Sequence, residues 1–137
     1  MSTQCRIAVR QSNGSFLAVV SHYDGYPSRM VPILMKRYDT DEKRAALMVN
    51  HIDFFDNHND DRPVFISESD RGYEEKAVEI HASISFVLEA KGLLGVAHTY
   101  IYDDKWYGWY PYLEMVPIDL RYYELFLINT SEEDCSW

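Results

Sequence analysis

"EIHASISFVLEAK", Glu79 to Lys91, is the stretch on which the fold turns. Ile80, Ala82, Ile84, Phe86 and Leu88 alternate with Glu79, His81, Ser83, Ser85, Val87 and Glu89. A period of two puts all five apolar residues on one face of a strand, whereas a helix would scatter them. The pattern predicts a strand whose apolar face meets the core.

Working outward, "AKGLLG" turns the chain and Val96 to Tyr102 reads as the next strand. "YDDKW" then turns into a strand over Trp106 to Tyr110. The result is an antiparallel meander, packed on helices on one face and partly solvated on the other. Beyond it, Leu120, Tyr123 and Leu127 fit a helix, while Tyr122, Phe126 and Ile128 fit alternation. Helix is the preferred reading, with an acidic, frayed end from Ser131 to Trp137.

Upstream, Cys5 to Val9 and Phe16 to His22 read as two strands. Asn13-Gly14 between them tolerates the positive φ of a tight hairpin. Met30, Val31, Leu34, Met35 and Tyr38 recur at helical spacing over Ser28 to Tyr38, with Pro32 placed in the first turn. In a second helix, Asp39 is the expected N-cap with Glu42 closing a capping box. Ala45, Met48, Val49 and Ile52 would form its apolar stripe. "DFFDNHNDDRP" has no periodicity and reads as an exposed acidic loop before a short edge strand, Val64 to Ser67. The expectation is one α+β domain over residues 1–137. Its mostly antiparallel sheet combines an N-terminal hairpin with a C-terminal meander, and two helices pack on one face.

The formal net charge of -9 argues against a direct grip on nucleic acid or anionic membrane and favours a basic partner. Eleven tyrosines suit half-buried strands and also binding surfaces. Cys5 and Cys135 show neither a CxxC pair nor a zinc spacing, and a disulfide between them is not expected. No segment reads as a signal peptide or reaches membrane-spanning length, so a cytoplasmic protein with reduced thiols is expected.

"SHYDGYP", Ser21 to Pro27, joins a strand to a helix. Gly25 can take a conformation costly to other residues, Pro27 extends Tyr26, and Ser28 can cap the helix. Turn chemistry accounts for these residues, and Tyr23, Asp24 and Tyr26 also offer contacts to a partner. "HYDGYP" after an apolar strand resembles the H-[WY]-D-G-Y-P signature of a family of small uncharacterised proteins of bacteriophages, prophages and some archaea. The common form reads Y-R-H-W-D-G-Y-P, and here Val20 and Ser21 stand for its tyrosine and arginine. The likeness extends to the following helix, to "SISFVLEA" and to "YIYDDKWYGWY". It implies a viral origin and little chemistry, since the family has no agreed activity.

His51, Asp53, Asp56, His58, Asp60 and Asp61 crowd one short stretch. Counted from Asp56, a calcium loop would need glycine where Asp61 stands and glutamate where Ser67 stands, so that motif fails. No nucleophile elbow or phosphate-binding loop is present. His22 and Asp24, two apart, could share one face as an acid–base pair. No cofactor or metal is expected. The expected function is that of a phage-encoded, non-enzymatic accessory protein that inhibits a host factor, such as a defence complex. Its contacts would be Tyr23, Asp24, Tyr26, Asp53, Asp56, Asp60 and Asp61, set against a basic host protein. The alternatives are a tyrosine-lined pocket sequestering a nucleotide signal, with Arg29, Lys36 or Arg37 meeting phosphate, and a small hydrolase using His22 and Asp24.

Overall fold

A computed structural model of the chain describes residues 3–66, 78–84, 87, 98–109 and 118–122. Within them lie strands β1 (Cys5–Arg10) and β2 (Phe16–Ser21), followed by helices α1 (Pro27–Arg37) and α2 (Asp41–Leu47). Strands β3 (Ile52–Asp56), β4 (Arg62–Phe65) and β5 (Glu79–His81) come next. The last are β6 (His98–Tyr102), β7 (Trp106–Trp109) and β8 (Ile118–Asp119), running into a 3₁₀ turn at Leu120–Tyr122. They build one sheet in the order β4-β3-β2-β1-β6-β7-β8, with β5 also paired to β2. Five of the seven pairings are antiparallel, so the fold is α+β with a mostly antiparallel sheet. The N-terminal hairpin and the β6-β7-β8 meander are both present. Joining them, β1 and β6 run parallel, with Cys5 opposite His98 and Val9 opposite Tyr102.

Strand alternation divides the core. Cys5, Ile7 and Val9 point into a larger cluster that also holds Met30, Leu34, Leu47, Ile52 and Tyr100. Ala8, Phe16, Ala18 and Ile101 point the other way, onto Val87. Both faces of the central strands are therefore covered, while on the second face of β6 and β7 Thr99 and Tyr107 stay partly exposed.

The decisive stretch departs from its reading. Strand β5 ends at His81, and Ile84 and Val87 are helical, with Val87 N–H donating to Ser83 O at 3.2 Å. Val87 is fully buried, while Ile80, assigned to the core by alternation, is 74% exposed. Ile80, Ile84 and Val87 stand at i, i+4 and i+7, a helical period that takes in Val87, which strand alternation places on the opposite face. Phe86 and Leu88 lie outside the described residues.

The corner and helix starts also differ from expectation. Tyr26, not Ser28, precedes α1, and Pro27 takes its first position. Pro32 then falls beyond the first turn, where it removes one helical hydrogen bond. The left-handed residue of the corner is Asp24 (φ 58°), not Gly25. Gly25 is required by close approach instead, because a Cβ there would sit 2.7 Å from Cys5 Cβ and 2.9 Å from Thr3 O. Thr40 caps α2 by accepting from Lys43 N, whereas Asp39 pairs with Lys43 Nζ at 3.2 Å. Helix α2 stops at Leu47 because Met48 to Asn50 turn the chain, so Val49 is exposed and Ile52 belongs to β3. Of the tail, Ile118–Asp119 is strand rather than helix, and the residues from Tyr123 onward lie outside the described set.

A histidine closes a gap in the sheet. The outer edge of β2 pairs with β5 at Phe16 to Ala18 and with β3 at Ser21. Between them, Val20 N–H donates to His51 Nδ1 at 2.8 Å, so a side chain satisfies the amide that the strand switch leaves over.

Candidate functional site

Consider first the residues singled out from sequence. "DFFDNHNDDRP" is not a loop but the β3–β4 hairpin. Asp53 is fully buried within β3 and forms no part of an acidic surface. Asp61 is mostly covered and clamped by Arg29 Nη1 at 3.2 Å and Arg37 Nε at 3.5 Å. Arg29 also donates to Phe55 O, and Tyr38 Oη donates to Asp61 O at 3.0 Å. Burial, reinforced by the nearby Asp61 carboxylate, pushes the Tyr38 hydroxyl up to about 12 despite Arg37. These bonds fasten the hairpin to α1. Asp56 is half-buried and accepts from His58 N, which leaves Asp60 as the carboxylate most exposed to solvent in this hairpin. Arg29 and Arg37, two of the cations considered for phosphate, are thus held in ion pairs; Lys36 is exposed.

At the corner, Tyr23 and Tyr26 are half-buried and Asp24 is exposed. Among the described residues, Asp24 makes no hydrogen bond to His22, so the pair is not assembled as an acid and base. Gly25 N–H donates to Thr3 O at 2.8 Å and Gly25 O accepts from Tyr100 Oη at 2.9 Å. The stretch is a structural joint between sheet and helix.

A different polar group is assembled on the second face. Arg6, 1% exposed, donates from Nε to Glu79 Oε1 at 2.9 Å, and Glu79 Oε1 also meets His81 Nε2 at 2.9 Å. Burial raises the Glu79 carboxyl, but the His81 hydrogen bond and the Arg6 charge outweigh it and hold the carboxyl below its ordinary value. Glu79 and His81 were legible as two residues on one strand face. Their partner, seventy-three positions earlier in the chain, was not.

A concavity lies at the opposite end of the sheet from the corner. It is an open groove of about 780 Å³. Its floor is a cross-strand row. Tyr102 is in register with Val9 and Val9 with Leu17, so these three lining side chains share one face across β6, β1 and β2. Ile80, in register with Leu17, continues that row on β5 beyond the lining. One wall is α2, through Asp41, Arg44, Ala45 and Met48. The rim consists of Arg10 to Ser12 from the hairpin and Asp103–Asp104 from the β6–β7 turn. Parallel β1 and β6 both direct their carboxyl ends here.

Arg44 fixes the wall to the floor. Its guanidinium lies 3.6 Å from the centre of the Tyr102 ring. Its Nη2 donates to Asp41 at 2.6 Å and its Nη1 to Tyr38 O at 3.2 Å. Tyr38 O also accepts Trp106 Nε1 at 3.0 Å, and Trp106 meets Tyr102 edge to face at 5.3 Å. The buried Arg44 is therefore spent on architecture, and a cation–π contact of this kind contributes about 0.5–2 kcal/mol. The charged groups that line the groove are Asp41, Asp103 and Asp104 against Arg10 and Arg44, three negative and two positive, or one net negative charge. Asp103 and Arg10 stand 3.5 Å apart on the surface, a separation that holds neither tightly.

Among the described residues, no cluster of histidine, cysteine and carboxylate side chains is placed to hold a metal ion, and no helix is long and apolar enough to cross a membrane. No family model matches the chain, and neither curated proteins nor solved structures yield a match.

Proposed function

We propose that this protein is a non-enzymatic binding protein that engages a basic host protein through the groove between α2 and the β6–β7 turn. The observation that carries this reading is the convergence of Asp41, Asp103 and Asp104 around an apolar, aromatic floor. Association would be steered by the net negative charge of the molecule, while the floor supplies the contact area that holds the complex. The resemblance of "HYDGYP" to a phage signature supports a viral, host-directed setting, in which occupying a basic face of a defence factor would inhibit it. Sequestration of a nucleotide is less well supported, because Arg29 and Arg37 are tied to the β3–β4 hairpin. A hydrolase using His22 and Asp24 lacks the assembled pair.

The test is to capture the partner from a bacterial lysate and measure association rates at low and high salt. Asp103→Asn with Asp104→Asn should slow association and flatten its salt dependence. Asp56→Asn with Asp60→Asn should have the smaller effect. Rates that ignore both salt and the first pair of substitutions would refute the reading.

A further inference from the structure

We infer that the groove docks a linear segment of the partner that carries basic residues at one end and a bulky apolar residue at the other. This inference rests on the binding reading above and names what occupies the site. Two large apolar side chains are strongly exposed among the described residues, Val49 at 65% and Ile80 at 74%. Ile80 lies just beyond the groove's lining, as the cross-strand partner of the floor residue Leu17. Exposed apolar surface continuous with a groove and rimmed by charge marks an interaction site.

The floor is also polarised. Tyr102 and the carboxylates of Asp103 and Asp104 stand at one end of the row, and Ile80 stands at the other. Three strand spacings of about 4.8 Å separate them, roughly 14 Å, which about four residues of extended chain span. The complementary segment therefore places lysine or arginine about four residues from leucine or isoleucine. The cations meet the Asp103–Asp104 rim, and the apolar side chain covers Leu17 and Ile80. Arg44 does not compete for the cations' carboxylates at that end, since its own partners are Asp41, Tyr38 and the Tyr102 ring.

Three synthetic peptides test this by isothermal titration against the intact protein. The first has a lysine pair set about four residues from a leucine pair. The second replaces the leucines by serine, and the third has the first peptide's composition with lysines and leucines interleaved. The first should bind about tenfold or more tightly than the other two, the advantage expected for burying a leucine side chain. Ile80→Ser should abolish that advantage, and Asp103→Asn with Asp104→Asn should weaken the first two peptides alike. Equal affinity for the first two peptides, or no binding by the first, overturns the inference. So does an advantage that survives Ile80→Ser. If the first two peptides bind equally and both weaken in the aspartate variant, the acidic binding reading survives while the docked segment does not. The captured-partner rates decide that reading separately.

Discussion

Replacing Gly25 by alanine would put a methyl carbon 2.7 Å from Cys5 Cβ, 2.8 Å from Cys5 N and 2.9 Å from Thr3 O. None of these atoms is the far end of a flexible side chain, so either β1 or the corner must shift. The shift would strain the Gly25 N–H bond to Thr3 O and the Tyr100 hydroxyl bond to Gly25 O. Overpacking costs about 1–3 kcal/mol, and weakened hydrogen bonds add about 0.5–1.5 kcal/mol. The expected loss is therefore about 2–4 kcal/mol, or roughly 6–12 °C in Tm for a chain of this size. Urea unfolding followed by circular dichroism measures it, with Gly14 as the companion site. Gly14 has φ 87° and nothing within 4 Å of its would-be Cβ, so alanine there costs about 1 kcal/mol of backbone strain alone. Asparagine, which tolerates a left-handed backbone, should recover part of the loss at Gly14 and deepen it at Gly25. A Gly25→Ala protein within about 0.5 kcal/mol of the parent would refute the contact argument. So would asparagine outperforming alanine at Gly25, since that would return the cause to φ.

Val87→Asp should unfold or severely destabilise the domain, because a fully buried carboxylate costs several kcal/mol or must neutralise, whereas Ile80→Asp should be nearly neutral. The reverse order in thermal melts would restore an uninterrupted strand. The Glu79 carboxyl is held below its ordinary value of 4.5 in the folded state, so it contributes stability above that value. The contribution is lost as pH falls through the folded-state value. Urea midpoints of Glu79→Gln should accordingly fall less than those of the parent on acidification below 4.5, and parallel curves would contradict the pairing with Arg6 and His81. Burial pushes the Cys5 thiol up to about 12, against the Ser21 backbone hydrogen bond and the Arg6 charge. In a Cys135→Ser background it should resist alkylation at mildly alkaline pH until the protein is unfolded.

The N-terminal hairpin is legible because its cause is local. Asn13-Gly14 supplies the turn, Gly14 takes φ 87°, and the register follows from Arg10 opposite Phe16. The two helices are legible from their apolar spacing, but their ends are not, because caps depend on which neighbours compete. Thr40 rather than Asp39 caps α2 while Asp39 is drawn to Lys43. The "EIHASISFVLEAK" pattern misleads because Ile80 and Ile84 fit the period of two while Ile80, Ile84 and Val87 fit the helical one, and tertiary burial of Val87 chooses between them. Asp53 misleads in the opposite sense, since an aspartate-rich run reads as solvated while the strand within it buries one carboxylate. The groove could not be read from any single stretch. Its floor brings together Val9, Leu17 and Tyr102 from three strands, through a parallel β1–β6 pairing that no local motif announces.

The most direct measurement is amide chemical-shift mapping of the isotopically labelled protein as the peptide with separated lysine and leucine pairs is added. Shifts should concentrate at Leu17, Met48, Tyr102, Asp103 and Asp104 in the floor, wall and rim of the groove, and at Ile80 beside Leu17. Shifts confined to Tyr23–Tyr26 or to the Asp56–Asp61 turn, or none at saturating peptide, would contradict the assignment of binding to this groove.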